Sequence, residues 1–509
     1  MNQVLYILRK DIRRQRVEIA ASLLLLLAFA WKSPMVWNNG TDETSSVRLL
    51  FGVVGVALIL SWWFLIIRVV QGESLVGDRQ FWLTRPYRRH SLLLSKVLFI
   101  FLFVNLPVFI FDIAALHHAG FAPWQHGAGL LQGQLLLTAF LIVPIATISA
   151  FTETIAQVLL VFLGLIVFFV GLNWITDKIP SSSFGSNVPG GVVIIILACV
   201  CVAVLALQYF RRDTRLSRFI VLGSLCVIAL ILIAAPYNRL IEHAYPKTPD
   251  GPFTAIRAAV QKSNPKRREE PSFYNNKVSL TTAMKVDGLA DGSLVVIDAA
   301  RLSIFASNGR AWNTGWVGSS RTIWSNSSEF REMFAVDKNF YSSVASDDVR
   351  LRVELAVSQY HERFLGPVTV AATDFRVTND GICSGADVRV FRALRCRAAL
   401  NEPAFTAQFS PLDTTCTLPD ASWPSLQVRR YDAAVSAEFG GGAGVVPIHP
   451  FDINFGEATD PSGKKSVFII CPGTKFDLAK PVHVGQYRVE SEVQAVRLPD
   501  YLSTNDFDE

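Results

Sequence analysis

QFWLTRPYRRHSLLLSKVL, residues Gln80 to Leu98, is a basic, proline-broken stretch set between two apolar runs. The run before it, Leu49 to Val70, is almost entirely apolar, and the run after it, Val97 to Leu116, carries Asp112 as its one charge. Each is about 20 residues, the length that crosses roughly 30 Å of hydrocarbon as a helix. A loop bearing Arg79, Arg85, Arg88, Arg89 and Lys96 between two spans resists translocation, so it is expected to face the cytoplasm. There it is open to cytosolic partners.

The 509 residues average 51% hydrophobic and 18% charged, but the average hides an apolar half up to about Pro236 and an ordinary polar half after it. Two regimes imply two solvents. Apolar runs fall at Val17 to Trp37, Leu49 to Val70, Val97 to Leu116, Leu130 to Ala150, Ile155 to Ile175, Gly191 to Phe210 and Phe219 to Ala235. The expectation is about seven spans, with six or eight open because Lys32 and Pro34 interrupt the first run. No small-x-small cleavage site follows Leu23 to Leu27, which argues against a signal peptide.

Lys and Arg fall unevenly at the borders of these runs. Arg9, Lys10, Arg13, Arg14 and Arg16 precede the first, the five named above lie between the second and third, and Arg211, Arg212, Arg215 and Arg218 lie between the sixth and seventh. The opposite borders hold only Lys32, Arg48 and Lys178. That bias puts the amino terminus in the cytoplasm and, with seven spans, everything after Tyr237 outside it. Cys383, Cys396, Cys416 and Cys471 in the polar half make an even set, as a disulfide-permissive compartment would have, with three pairings open. A zinc site is the weaker reading, since no Cys-x-x-Cys pair occurs and no His stands at ligand spacing.

The polar half reads as all-β. Lys277 to Val286, Ser293 to Phe305, Leu351 to Val357, Val388 to Ala393, Val467 to Cys471 and His483 to Val496 alternate with a period of two. Turn signals separate them, among them Asp291-Gly292, Asn308-Gly309 and Asp380-Gly381. The expected fold class is therefore a polytopic α-helical membrane domain followed by an all-β, sandwich-like extracytoplasmic domain. Its expected parts are a basic amphipathic helix over 1–16, the spans over 17–236, a tether over 237–272 and a β domain over 273–509, split near residue 378 if it holds two units. Within the tether, Phe253 to Gln261 could form one short helix.

Before the first span, Leu5, Leu8 and Ile12 share a helical face while Arg9, Lys10, Arg13 and Arg14 fill much of the rest. Such a helix would lie along the inner leaflet, although the same arginines could merely set orientation. In the loop, 72–96, a helix from Ser74 to Thr84 would group Leu75, Val76, Trp82 and Leu83. Pro86 ends it and turns the chain, and Ser91 can cap the next helix. Physics alone leaves docking surface and plain connecting loop in balance.

FWLTRPYRRHSLLLSKVL, with Glu73 upstream, resembles the cytoplasmic segment of permeases in the type-2 ATP-binding-cassette (ABC) exporter family. There an acidic stretch leads to an aromatic or leucine, a Thr, a Pro, a basic pair, leucines and a Lys entering the third span. The basic amino terminus and roughly six-span core are also similar, over about residues 1–210. The resemblance implies that Glu73, Asp78, Arg79, Phe81, Trp82, Thr84, Arg85 and Pro86, with Arg88 and Arg89, form a coupling helix docked on a cytoplasmic ABC ATPase. It also implies a second permease copy or homologue, a bacterial plasma membrane, and ATP and Mg bound by the partner rather than by this chain. The additional span and the large β half depart from the family pattern and leave the cargo undefined.

The chain has no Gly-x-x-x-x-Gly-Lys-Ser/Thr loop, and Gly463-Lys464-Lys465-Ser466 lacks the preceding Gly, so a non-catalytic subunit is expected. No Gly-x-Ser-x-Gly elbow accompanies the scattered His361, His449 and His483. No cofactor, metal site or nucleic-acid partner is expected. Asp112 could line a translocation path or sit at a hydrated helix end within reach of His117 or His118. The alternative reading is a membrane-anchored β-domain binding protein that transports nothing.

Overall fold

The structure, a computed structural model, describes residues 2–39, 45–72, 89–177, 187–211, 213–234, 237–247, 257–261, 273–274, 277–290, 292–324, 329–379, 381–385, 390–391, 393–400, 406–409, 431–432, 447–454, 457–459, 465–467, 469–470 and 472–502. An apolar helical half precedes a β half. The helices are α1 (Asn2–Arg14), α2 (Arg16–Asn39), α3 (Ser45–Gln71), α4 (Arg89–Ile100), α5 (Leu106–His118), α6 (Gly127–Leu137), α7 (Val143–Phe151), α8 (Ile155–Asp177), α9 (Asn187–Phe210), α10 (Thr214–Ala234), α11 (Tyr237–Ala244) and, among the strands, α12 (Lys338–Val344).

Among the described residues six stretches are long and apolar enough to cross a membrane: Arg16–Pro34, Leu49–Gln71, His90–His118, Pro123–Phe151, Ile155–Leu172 and Thr214–Ile231. The remaining expected run lies in α9, whose described apolar part is the shorter Ile196–Phe210. The first run continues as helix through both of its interruptions. Pro34 cannot bond the Ala30 carbonyl one turn back, and the Ser33 hydroxyl donates to that oxygen instead, at 3.2 Å.

Two stretches are joined through π turns. Phe101–Asn105 links α4 to α5 and Thr138–Ile142 links α6 to α7, and each turn ends two residues before a proline, Pro107 or Pro144. Proline has no N–H to donate to the carbonyl of the preceding turn and its ring clashes with that oxygen, and the wider turn makes room for the ring. Trp62, Leu65, Ile66, Phe99, Val108 and Leu116 fill the core of the bundle. Leu159, Leu160, Leu163, Ile166, Val167 and Val170 of α8 stay exposed, as a face toward hydrocarbon would be.

The strands are β1 (Arg257–Gln261), β2 (Phe273–Tyr274), β3 (Lys277–Asp287), β4 (Ser293–Ala306), β5 (Ala311–Asn313), β6 (Val317–Trp324), β7 (Glu329–Asp337), β8 (Val349–Thr369), β9 (Phe375–Thr378), β10 (Gly381–Cys383), β11 (Val390–Phe391), β12 (Ala393–Ala399), β13 (Thr406–Phe409), β14 (Tyr431–Asp432), β15 (Ile448–Asn454), β16 (Glu457–Thr459), β17 (Lys465–Val467), β18 (Ile469–Ile470) and β19 (Lys475–Val496). The largest sheet runs β14-β13-β19-β8-β4-β5, with β6 also on β4. A second joins β1, β3, β2 and β7. Leu280 and Phe334 of the second share one hydrophobic cluster with Ile297, Leu302, Leu351 and Val353 of the first.

A third sheet, β15-β12-β10-β9, meets the helices rather than that core. Its Ile382, Ala399 and Ile448 belong to the same apolar cluster as Leu116, Phe121 and Leu130 of the bundle. Arg257–Gln261, inside the segment read from sequence as a short helix, is strand β1 and pairs antiparallel with β3. The segment expected to be a tether also holds α11, whose Ile241 packs on Ala299, Trp316 and Ala356.

Candidate functional site

Of the residues expected to dock an ATPase, Glu73, Asp78, Arg79, Phe81, Trp82, Thr84, Arg85, Pro86 and Arg88 lie outside the described residues, and Arg89 is the first residue of α4. The two flanks of that loop are defined. At its start, Arg14 of α1 donates to the Gly72 carbonyl at 3.1 Å, and Gln71 donates to the Thr152 hydroxyl at 3.1 Å. At its end, Lys96 donates to Asp11 of α1 at 2.7 Å, with side chains 3% and 6% exposed. One helix therefore holds both shoulders of the loop.

The face that α1 buries differs from the expected one. Ile7, Leu8, Asp11 and Gln15 point inward, with Ile7 against Leu92 and Tyr209, whereas Leu5 is 52% exposed. Leu5, Leu8 and Ile12 have the right period, but the neighbour decides which apolar face is covered, and α4 offers Leu92 and Lys96. Arg9, Arg13 and Arg14 are exposed and Lys10 is half-buried. Arg68 lies 3.8 Å from Glu18, beside the same end of the bundle.

Asp112 is buried in α5. Its hydrogen-bond partner is Gln134 of α6, whose amide donates to Oδ2 at 3.3 Å, while Oδ1 has none. His117 and His118 lie at the helix end with exposed side chains. The polar seam continues inward: the Asn105 amide donates to the Thr138 hydroxyl at 2.9 Å and to Gln134 at 3.3 Å. Asn105 and Thr138 belong to the two π turns and stand near the middle of two stretches long and apolar enough to cross a membrane. Such polar groups at mid-span depth face a partner helix because hydrocarbon cannot satisfy them.

At the other end of α5 the bundle meets the third sheet. Arg397 Nε donates to the Ala119 carbonyl at 3.0 Å, and Arg376 donates to the Gly120 carbonyl at 2.5 Å. Ala119 is the C-cap of α5 and Gly120 follows it with a positive φ, so the two guanidinium groups satisfy the carbonyls just past the helix and stand at the negative end of its dipole. Cys383 and Cys396 pair in a disulfide across β10 and β12 just behind this contact. Cys416 and Cys471 lie outside the described residues. A cavity of about 280 Å³ opens here, between His118, Asp374, Ser384, Arg395 and Arg397.

In the β half, α11 is fastened by polar contacts. Arg301 of β4 bridges Glu354 (2.5 Å) and Glu242 of α11 (2.8 Å) and lies over the Trp316 ring. Asp298, at a register shift in β4, accepts from Tyr245 at 3.0 Å and from Ser358. Burial pushes the Asp298 carboxyl above the ordinary carboxylate range, against the opposing pull of those two hydroxyls and of His483. The native state then keeps its proton where the unfolded chain releases it, so stability falls as pH rises from the ordinary range through the raised value. Asp298→Asn removes that slope: relative to wild type it gains stability as pH rises above about 4, and unfolding midpoints that stay parallel with wild type as pH rises would contradict the assignment.

Asp11, Gln15, Asn105, Gln134, Arg376 and Arg397 were not singled out in the sequence. A lone acid in a basic helix and lone amides in apolar runs were the available signals. No group of three or more His, Cys, Asp or Glu fit to hold a metal ion occurs among the described residues. No model of a known protein family matches this chain, and no curated protein matches it.

Proposed function

We propose that this chain is the membrane-spanning permease subunit of an ATP-driven ABC exporter, worked by a separate cytoplasmic ATPase through the loop between α3 and α4. The observation that carries the reading is the grip of α1 on both shoulders of that loop, Arg14 on Gly72 and Asp11 on Lys96. A loop pressed from the cytoplasm and anchored this way moves α1, α3 and α4 together instead of folding aside. The basic residues of the loop, its resemblance to the coupling segment of type-2 exporters and the apolar spans around it support the same reading. ATP and Mg belong to the partner, a second permease copy completes the assembly, and the bilayer surrounds both.

The amino terminus is cytoplasmic and the β half extracytoplasmic in this reading, by the distribution of Lys and Arg. Exposed Arg9 and Arg13 on α1 then meet anionic headgroups. The polar seam from Asn105 to Asp112 provides a surface within the spans along which a cargo could pass. Arg85→Glu combined with Trp82→Ala is expected to abolish most recovery of the ATPase when the chain is purified from native membranes. Wild-type recovery by that variant would refute docking at this loop.

A further inference from the structure

We propose that α4 with its π turn and α5 is a strut that couples α1 to the disulfide-linked sheet of the β half, with Asp11, Lys96, Arg376 and Arg397 as its coupling residues. The docking reading supplies what would move the loop; the strut itself does not depend on it. Both of its ends are fastened to other parts of the chain by side chains that replace a solvent contact with a specific one.

At the loop end the fastening is the buried Lys96–Asp11 pair, reinforced by Ile7 against Leu92. Sliding α4 along α1 would strand two charges in an apolar setting, so the two helices move as one. At the far end Arg397 and Arg376 hold the carbonyls of Ala119 and Gly120, the two residues that follow the helix. Arg397 is in turn held on the β side by Asp374, at 2.6 Å. Close apolar contact adds to these bonds: Gly120 has φ of +87° and Ile382 reaches against it, while Leu400 occupies the space that a side chain at Gly129 would need.

Between the ends the chain from Lys96 to Ala119 is helical throughout, a rise of about 35 Å at the usual 1.5 Å per residue. The π turn at Phe101–Asn105 would be the weak point, because kinks concentrate at such turns. Asn105 bonds it to Thr138 in the matching turn of the fourth span, which stiffens the strut where it would bend. On the receiving side, β10 is joined to β12 by the Cys383–Cys396 disulfide and β12 to β15 along its full length. A displacement delivered at Ala119 therefore reaches a sheet that moves as a unit.

Coupling of this kind is reciprocal, because it is one free energy shared by two sites. Hydrogen exchange of the full-length protein in nanodiscs tests it without any ATPase. In Asp11→Leu/Lys96→Met, which removes both charges and strands neither, amide exchange in residues 381–383 and 393–399 is expected to change by about fivefold or more, the lower end of ordinary intersite coupling. In Arg376→Ala/Arg397→Ala, residues 5–14 and 89–100 should change in their turn. Arg497→Ala, which breaks the exposed pair with Asp348 on the β half, should alter neither region. Changes confined to the mutated end in both double variants would overturn the strut, as would the same changes produced by Arg497→Ala. Loss of ATPase recovery in the loop variant bears only on docking, so the two proposals fail separately.

Discussion

Lys96→Met is expected to destabilise the protein by about 3–5 kcal/mol, because it takes away the ammonium that faces the buried Asp11 carboxylate at 2.7 Å. The pair is more enclosed than any ion pair at the surface, and solvent cannot take over the role of the missing ammonium. Asp11→Leu alone should cost a similar amount, since it takes the carboxylate away from the buried ammonium. The double variant should return close to wild type or exceed it, because a well-packed apolar pair avoids the desolvation that the ions suffer. Unfolding of the detergent-solubilised protein, followed by circular dichroism, gives all four corners of the cycle. Equal and additive losses would show that the two side chains act independently, and α1 would then lose its place as the clamp of the loop.

Arg301→Leu is the second large effect, expected to cost about 3–5 kcal/mol through the stranded Glu354, which is 7% exposed. The guanidinium also lies 4.8 Å from the centre of the Trp316 ring, a contact worth about 1 kcal/mol more. Glu242 on α11 is more exposed and contributes less by its charge than by direction: it fixes where α11 crosses β4. Arg301→Leu/Glu354→Leu should recover most of the stability of the β half while leaving α11 less protected in hydrogen exchange. If the double variant is no better than the single one, the loss lies in packing around Trp316 and not in the buried charge.

Much of the helical half was legible from apolar length alone, since a span needs little more than continuity. Leu49 to Val70 became the core of α3, and Ile155 to Ile175 that of α8. Strand reading worked where alternate residues feed one core: Val295, Ile297, Leu302 and Ile304 pack in it, and Ser293 to Phe305 is β4 almost to the residue. It fell short in β8, read as Leu351 to Val357 and observed as Val349–Thr369. Beyond Gln359 the strand leaves the core and runs paired with β19, exposing Phe364 and Leu365, so backbone bonds hold it with no burial pattern to read. Arg257–Gln261 failed for a related reason: a five-residue stretch takes its conformation from the strand beside it.

The segment proposed to dock an ATPase, by contrast, is visible only as a string of residues. Glu73 to Arg88 drew attention by charge, Pro86 and resemblance, and the contacts that frame it came from Asp11, Arg14 and Lys96. Asp112 was conspicuous as a charge in an apolar run, while its partner Gln134 was not, because an amide on another span has no sequence spacing to betray it.

By itself the sequence determined that this protein has two halves made for different surroundings, because the free energy of placing a side chain in hydrocarbon or water is local and accumulates along the chain. Only the tertiary structure decided that α1 grips α4, that Asn105 finds Thr138, and that Arg397 closes α5. Each of these joins residues far apart in the chain through a directional bond, and direction and distance in space are not written in residue order.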